Sequence, residues 1–427
     1  MAKKRILIKG GRIIDPDGDF DQIGDILIED GLISHRGDAQ GSSADTVIEA
    51  KGKIVMPAMV DMHVHLREPG REDKETIASG TTAALRGGVT SVLAMPNTNP
   101  AIDSPEHIEL LSQIIKKTAH IEVLICGTIT KKREGLELSD ITALKKKGAL
   151  AITDDGSSVD DLELMRKAFQ EAKKCGLLVI CHSEDKKLSG DGAVNLGFTS
   201  TRLGLKGISK ESEYKRVARD VELAKETGAR IHIAHVSCKE SIEIIARAKQ
   251  QKIAVSAETA PHYFTLCDQA VLGFDTNMKM NPPLRGKEDL EAIKEGLRQG
   301  IIDAIASDHA PHASSEKDIE FDRAAFGVIG LETELAVAIT ELVEPGILSW
   351  LQLAKAVSYN PAKILGIDKG KLSVGSPAEI VVISPDQEWV VRKEAFLSKS
   401  KNSCFLEKKL KGQVIYTIHQ GQVKWSL

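Results

Sequence analysis

The chain has 427 residues, 42% of them hydrophobic and 28% charged, with aromatics at only 4%. That is enough apolar mass for a large core, built from Ile, Val, Leu and Ala rather than from rings. A net charge of −4 argues against nucleic acid as the main partner, since phosphate binding wants a basic face; the absence of any apolar run of ~18 residues argues against a membrane span.

The opening "MAKKRILIKGGRIIDP" is charged and then alternating. It lacks the apolar stretch of a signal peptide, so a cytoplasmic location is expected. "RILIKGGRIIDP" and "GDILIEDGLISHRG" read as hairpin-rich β-structure with Gly turns. From residue 58 the texture changes to apolar strands alternating with charge-patterned helical segments. Eight strands are expected: Val60–Leu66, Val89–Met95, Ile121–Gly127, Ala149–Thr153, Leu177–His182, Arg230–Val236, Ile253–Glu258 and Ile302–Ser307. Segments such as "DLELMRKAFQEAKKCG" and "YKRVARDVELAKETG" lie between them and end in Gly, as helices do. After Pro361, "GKLSVGSPAEIVVISP" and "GQVIYTIHQGQVKW" return to the β style of the opening. The fold class is therefore α/β: a (β/α)8 TIM-type barrel over residues 58–366, with a small β-sandwich-like domain assembled from residues 1–57 and 367–427. The six cysteines (126, 175, 181, 238, 267, 404) are scattered with no CxxC pair, which suits reduced, buried thiols.

In such a barrel, chemistry sits at the C-terminal ends of the strands. Strand one ends in "VDMHVHLREPG", with His63 and His65 two apart and so on one face. "TDDG" with Asp154 and Asp155 follows strand four, and His182 in "VICHSED" follows strand five. His235 lies in "HIAHVS" on strand six; Asp308, His309 and His312 lie in "SDHAPH" after strand eight. Imidazoles and carboxylates gathered at one rim describe a site for two divalent metals; the set suits zinc among first-row ions, with manganese or cobalt able to replace it. Two adjacent cations would lower the pKa of a bridging water and polarise a carbonyl. Arg67 stands where it can meet an anionic substrate. Chemistry alone does not choose between Asp154 and Asp155. Strand alternation sends His232, three residues before His235, to the opposite face, in a structural role. His262 in "ETAPHYF" stays outside the assigned set.

Together with "MPNTNP", "GLKGISKESE", "NPPLR" and "FGVIGLET", these segments resemble the amidohydrolase superfamily and, within it, the class I dihydroorotases. The resemblance covers nearly the whole chain. It implies two Zn²⁺ per chain: His63, His65 and Asp308 on one, His182 and His235 on the other, with Asp155 and a hydroxide bridging. It implies Asp308 as general acid and base. It also implies Arg67, Asn97 and His312, with His65 beside them, gripping a substrate carboxylate, and Asn281 with Phe326–Gly327 contacting a pyrimidine ring. The implied reaction is the reversible cyclisation of N-carbamoyl-L-aspartate to L-dihydroorotate in pyrimidine (UMP) biosynthesis. Hydantoinases and allantoinases bridge their metals with a carboxylated lysine, and "GALAITDDGSS" contains none. A hydantoinase-like activity and a non-catalytic dihydroorotase-like subunit are the alternatives. Some family members work only in complex with aspartate carbamoyltransferase, which makes that enzyme a candidate partner; a homodimer is the expected assembly. Ala58, Met59 and Cys238 depart from the usual pattern, none at a ligand position.

Overall fold

The computed structural model describes residues 5–39 and 43–427. Met1–Lys4, the start of the charged N-terminal stretch read above, lie outside the described residues. Eight strands form one parallel sheet: β1 (Met59–Val64), β2 (Val89–Ala94), β3 (Glu122–Gly127), β4 (Ala151–Ile152), β5 (Leu178–Cys181), β6 (Ile231–Ile233), β7 (Val255–Thr259) and β8 (Ala304–Ile305). They neighbour one another in chain order. The ring closes just beyond β8, where His309 bridges in parallel to Val64 and its carbonyl accepts the His65 N–H at 2.9 Å. The closing seam is thus made by the segments that carry His63, His65 and Asp308. Several ladders are shorter than the apolar runs that form them. β4 is two residues long because the chain turns out of the sheet at Thr153 to present "DDG" at the rim.

The helices between strands follow from local sequence. In Leu162–Cys175 the Asp161 side chain accepts the Leu164 N–H at the N-terminus, and Gly176 at φ 67 ends the helix. Met165, Ala168, Phe169 and Ala172 recur at helical spacing and are its buried face. Phe169 is fully buried; truncating such a ring to Ala costs about 3–5 kcal/mol. Inside the barrel, Val60, Met62, Leu93, Met95, Leu178 and Ile180 belong to one buried cluster, joined by Ala362 and Leu365.

The two ends of the chain share a second sheet. Ile54–Pro57 pairs in parallel with Arg5–Asp15 on one side and antiparallel with Ile380–Val390 on the other. Ile6, Ile8, Ile13, Ile26, Ile28 and Ile380 pack into a core of its own. β1 begins two residues after Pro57, so this sheet anchors the strand that delivers His63 and His65.

Candidate active site

A cavity of about 350 Å³ opens at the C-terminal ends of the barrel strands. Asp155, just after β4, sits at its floor among four imidazoles. Its Oδ1 lies 3.3 Å from His63 Nε2, 3.3 Å from His182 Nδ1 and 3.4 Å from His235 Nε2, and its Oδ2 lies 3.4 Å from His65 Nε2. Asp308 Oδ1 lies 3.4 Å from His65 Nε2 and 3.7 Å from His63 Nε2. Ligand atoms about 2.0–2.1 Å from a tetrahedral zinc lie about 3.3–3.4 Å from one another, which is the spacing found here. Two triads could each hold an ion, His63–His65–Asp155 and Asp155–His182–His235, and both contain Asp155. His63 Nε2 and Asp155 Oδ1 are buried without a hydrogen-bond partner. Buried polar atoms left so are costly unless something else satisfies them, and a cation would. The donor set therefore fits a pair of divalent metals.

Neighbouring side chains aim the ring nitrogens. His63 Nδ1 is 2.6 Å from Glu258 Oε1 and His65 Nδ1 is 2.9 Å from Asn97 Oδ1, so each donates through Nδ1 and turns its Nε2 toward the carboxylates. His182 Nε2 lies 3.2 Å from Glu184, which leaves Nδ1 facing Asp155 and His235 Nε2 at 2.8 Å. At that distance one of the two nitrogens must carry a proton for the other to accept, unless a metal takes both lone pairs. Charges follow the same logic. Burial opposes a charge on His63, but Asp155 and Glu258 outweigh it and hold the imidazole well above its ordinary value. His182, against the same burial, is pushed up to about 9 by Asp155 and Glu184. Burial would raise the Asp155 carboxyl, yet His63, His182 and His235 hold it well below the carboxylate range. Asp308 is likewise lowered against its burial by His65 and His63. Protons on imidazoles here supply the positive charge that the carboxylates demand, a role that bound metal would take over.

One wall of the cavity is cationic. Arg67 is lowered to about 10 by burial and so keeps its charge at neutral pH. Its Nε donates to the Pro311 carbonyl at 3.1 Å, which leaves most of the guanidinium fork for a ligand. His312 beside it is pushed down to about 3, first by burial and then by Arg67 and Lys74. It is neutral, with Nε2 donating to the Phe326 carbonyl at 2.8 Å. Asn97, Asn281, Phe326 and Gly327 complete this lining. Arg67 (φ 63), His235 (φ 36) and Asp308 (φ 46) all adopt the left-handed region, and such residues cost about 1–3 kcal/mol each unless the surroundings hold them.

All the side chains expected at the site from sequence, His63, His65, Arg67, Asn97, Asp155, His182, His235, Asn281, Asp308, His312 and Phe326, thus lie at or beside one cavity, with Gly327 in its wall. The two adjacent aspartates separate. Asp155 faces the histidines, whereas Asp154 accepts the N–H groups of Ile129 and Thr130 at 2.8 and 3.0 Å. His232 does not point away from the site, as alternation suggested. His235 adopts a left-handed backbone (φ 36), which breaks the alternation, and His232 lies beneath the cavity, 3.2 Å from Glu258 and bonded to Ser256 Oγ at 2.8 Å. His262 is buried nearby but outside the cavity lining. Glu258, Glu184, Arg133 and Lys186 were not singled out from sequence. Glu184 sits inside "CHSED", two residues after the histidine it meets, a local signal that the motif did carry; Glu258 sits inside "ETAPHYF", where nothing local marks it as the partner of His63, 195 residues away.

A family model described as dihydro-orotase-like matches residues 52–241. The chain is 51% identical over 420 residues to the dihydroorotase of Elusimicrobium minutum (strain Pei191), spanning 98% of this chain and 97% of that one. It is 50% identical over 419 residues to the dihydroorotase of Geobacter sp. (strain M21), spanning 98% of both. Among solved structures, the L-hydantoinase (dihydropyrimidinase) of Arthrobacter aurescens matches with a TM-score of 0.89 at 25% identity, over 99% of this chain and 96% of that one. The dihydropyrimidinase of Brevibacillus agri NCHU1002 shares the fold, with a TM-score of 0.85 at 24% identity over 98% of this chain and 94% of that one.

Proposed function

The chain belongs to the dihydroorotase family, and we propose that its cavity interconverts N-carbamoyl-L-aspartate and L-dihydroorotate by reversible ring closure, a step of pyrimidine synthesis. The observation that carries this reading is Asp155 within 3.3–3.4 Å of four imidazole nitrogens, facing a wall that holds Arg67. In it, His63, His65 and Asp308 would hold one zinc and His182 and His235 a second, with Asp155 shared between them. Bound there, the metals would acidify water and polarise the carbonyl under attack.

The chain's own groups do the rest. Arg67 takes a substrate carboxylate in its fork, Asn97 and His312 add polar contacts to it, and His65 stands beside them. Asn281 and the Phe326–Gly327 backbone border the ring atoms. In ring closure the ureido nitrogen bonds to the carbon of the other carboxylate, and one oxygen of that carboxylate leaves as water. Asp308, ionised at rest, takes the proton from the ureido nitrogen and hands it to the departing oxygen; a second proton comes from solution. In ring opening the order reverses: Asp308 takes a proton from the attacking water and delivers it to the ring nitrogen as the C–N bond breaks.

The division at residues 57/58 and 366/367 into barrel and terminal domain is part of this reading. So are a cytoplasmic location and a homodimer, alone or with aspartate carbamoyltransferase. No helix among the described residues is long and apolar enough to cross a membrane. The test is metal content per chain, together with ring closure of carbamoyl aspartate followed by ultraviolet absorbance. Two metals and turnover support the proposal. Metal with activity only on hydantoins or allantoin would replace the substrate, and a protein that binds no zinc would sink the mechanism.

A further inference from the structure

Arg133 lines the same cavity and has no part in the chemistry above. It sits in the loop between β3 and the helix Ile141–Lys147. There Lys132 at φ 54 and Arg133 at φ 61 are consecutive non-glycine residues in the left-handed region. Strain of that kind persists only where surrounding bonds over-determine it, and it concentrates at functional sites. The bonds are present on both sides of Arg133. Asp154 accepts the N–H groups of Ile129 and Thr130 and the Thr130 hydroxyl. Thr130 Oγ1 accepts the Gly135 N–H at 2.9 Å, and Asp103 accepts the Lys132 N–H at 2.9 Å. The backbone that carries Arg133 is held in place, so its side chain is aimed.

It is aimed at the cavity beside Asn97. A Cβ built on Gly156 would lie 3.4 Å from Arg133 Nη2 and 3.8 Å from Asn97 Nδ2, so the guanidinium and the amide flank the residue that follows Asp155. Arg133 Nε is buried and has no hydrogen-bond partner. A guanidinium left so, on a strained loop, lacks a partner that the ligand can provide. Under the proposed function, on which this inference rests, the open-chain compound carries two carboxylates and the ring only one. Arg67 answers the carboxylate common to both. The second negative charge exists only before ring closure.

We propose that Arg133 is a substrate-binding residue that recognises the second carboxylate of the open-chain dianion, and so sets the cavity's preference between dicarboxylate and ring. Its fixed position and planar fork suit that task, and its partner disappears as the C–N bond forms.

The test is steady-state kinetics in both directions on metal-loaded wild type, Arg133→Gln and Arg133→Lys, with metal content measured on each. In Arg133→Gln the KM for N-carbamoyl-L-aspartate should rise by about tenfold or more, as loss of a charge-assisted bond predicts, with a much smaller change for L-dihydroorotate. Metal content should stay at the wild-type value, and Arg133→Lys should fall between. Thr130→Val, which loosens the loop but keeps the guanidinium, should shift the same KM in the same direction; it carries the test if the Arg133 variants fold poorly. Equal KM changes in both directions, no change in either, or loss of metal would each overturn the proposal. Wild-type protein inert toward both compounds would instead overturn the functional reading beneath it.

Discussion

Replacing Glu258 by Gln tests how the barrel interior prepares the metal ligands. Glu258 lies on β7, fully buried, 2.6 Å from His63 Nδ1 and 3.2 Å from His232 Nε2. Burial would raise its carboxyl, but His63 and His232 hold it down at about 2, so it is a permanent anion. Gln keeps the shape and an acceptor oxygen but removes the charge. A hydrogen bond to a charged group contributes about 1.5–3 kcal/mol against about 0.5–1.5 for a neutral one, so His63 loses about 1–2 kcal/mol of support. At 1.4 kcal/mol per decade that is about a 5–30-fold loss of affinity at the ion His63 would hold, overlapping the 10–100-fold range typical when a group behind a ligand is changed. Competition of wild type and variant against a chromophoric zinc chelator at fixed pH measures it, with circular dichroism to confirm the fold. Unchanged zinc affinity in a folded Glu258→Gln protein would show that His63 needs no anion behind it, and the argument from burial and geometry would fail.

Asp308→Asn should abolish turnover in both directions, since an amide cannot take the proton; near-normal rates would remove Asp308 from the chemistry. Arg67→Lys should chiefly raise KM, by about 10–100-fold, because an ammonium cannot reproduce the fork; unchanged KM values for both substrates would count against that role. The neighbouring aspartates should part company. Asp155→Ala should lose bound metal. Asp154→Ala should keep it but lower the melting temperature, because two buried N–H groups lose their acceptor at about 1–3 kcal/mol each; metal analysis and thermal melts of the pair would expose a reversed assignment. In metal-free protein, His182 is raised from 6.5 to about 9, so its stabilising contribution is complete below about pH 6.5 and is lost as pH rises through 9. Zinc needs the neutral ring, so its affinity should climb with pH over that window and its binding should release protons. Calorimetry in buffers of different ionisation enthalpy reads that release, and a buffer-independent heat would contradict it.

The strand–helix alternation, the return of β-texture at both ends and the paired histidines of "HVH" are local patterns, and the sequence by itself determined them. Residues two apart on a strand share a face wherever that strand goes, so His63 and His65 belonged together before any fold was known. Residue chemistry left open which aspartate faces the histidines, since Asp154 and Asp155 are chemically identical neighbours; the family resemblance pointed to Asp155, and the turn after β4 separates the two physically. Tertiary structure alone decided that His235 reaches the cavity through a left-handed backbone while His232 sinks beneath it, against the alternation rule. Glu258 became legible only because barrel closure sets it against a histidine 195 residues away. Arg133 is one more cation in a lysine-rich loop until the bonds from Asp154 and Asp103 turn it inward. Periodicity is written between neighbours along the chain, whereas the partners of a buried charge are set by which strands the barrel brings side by side.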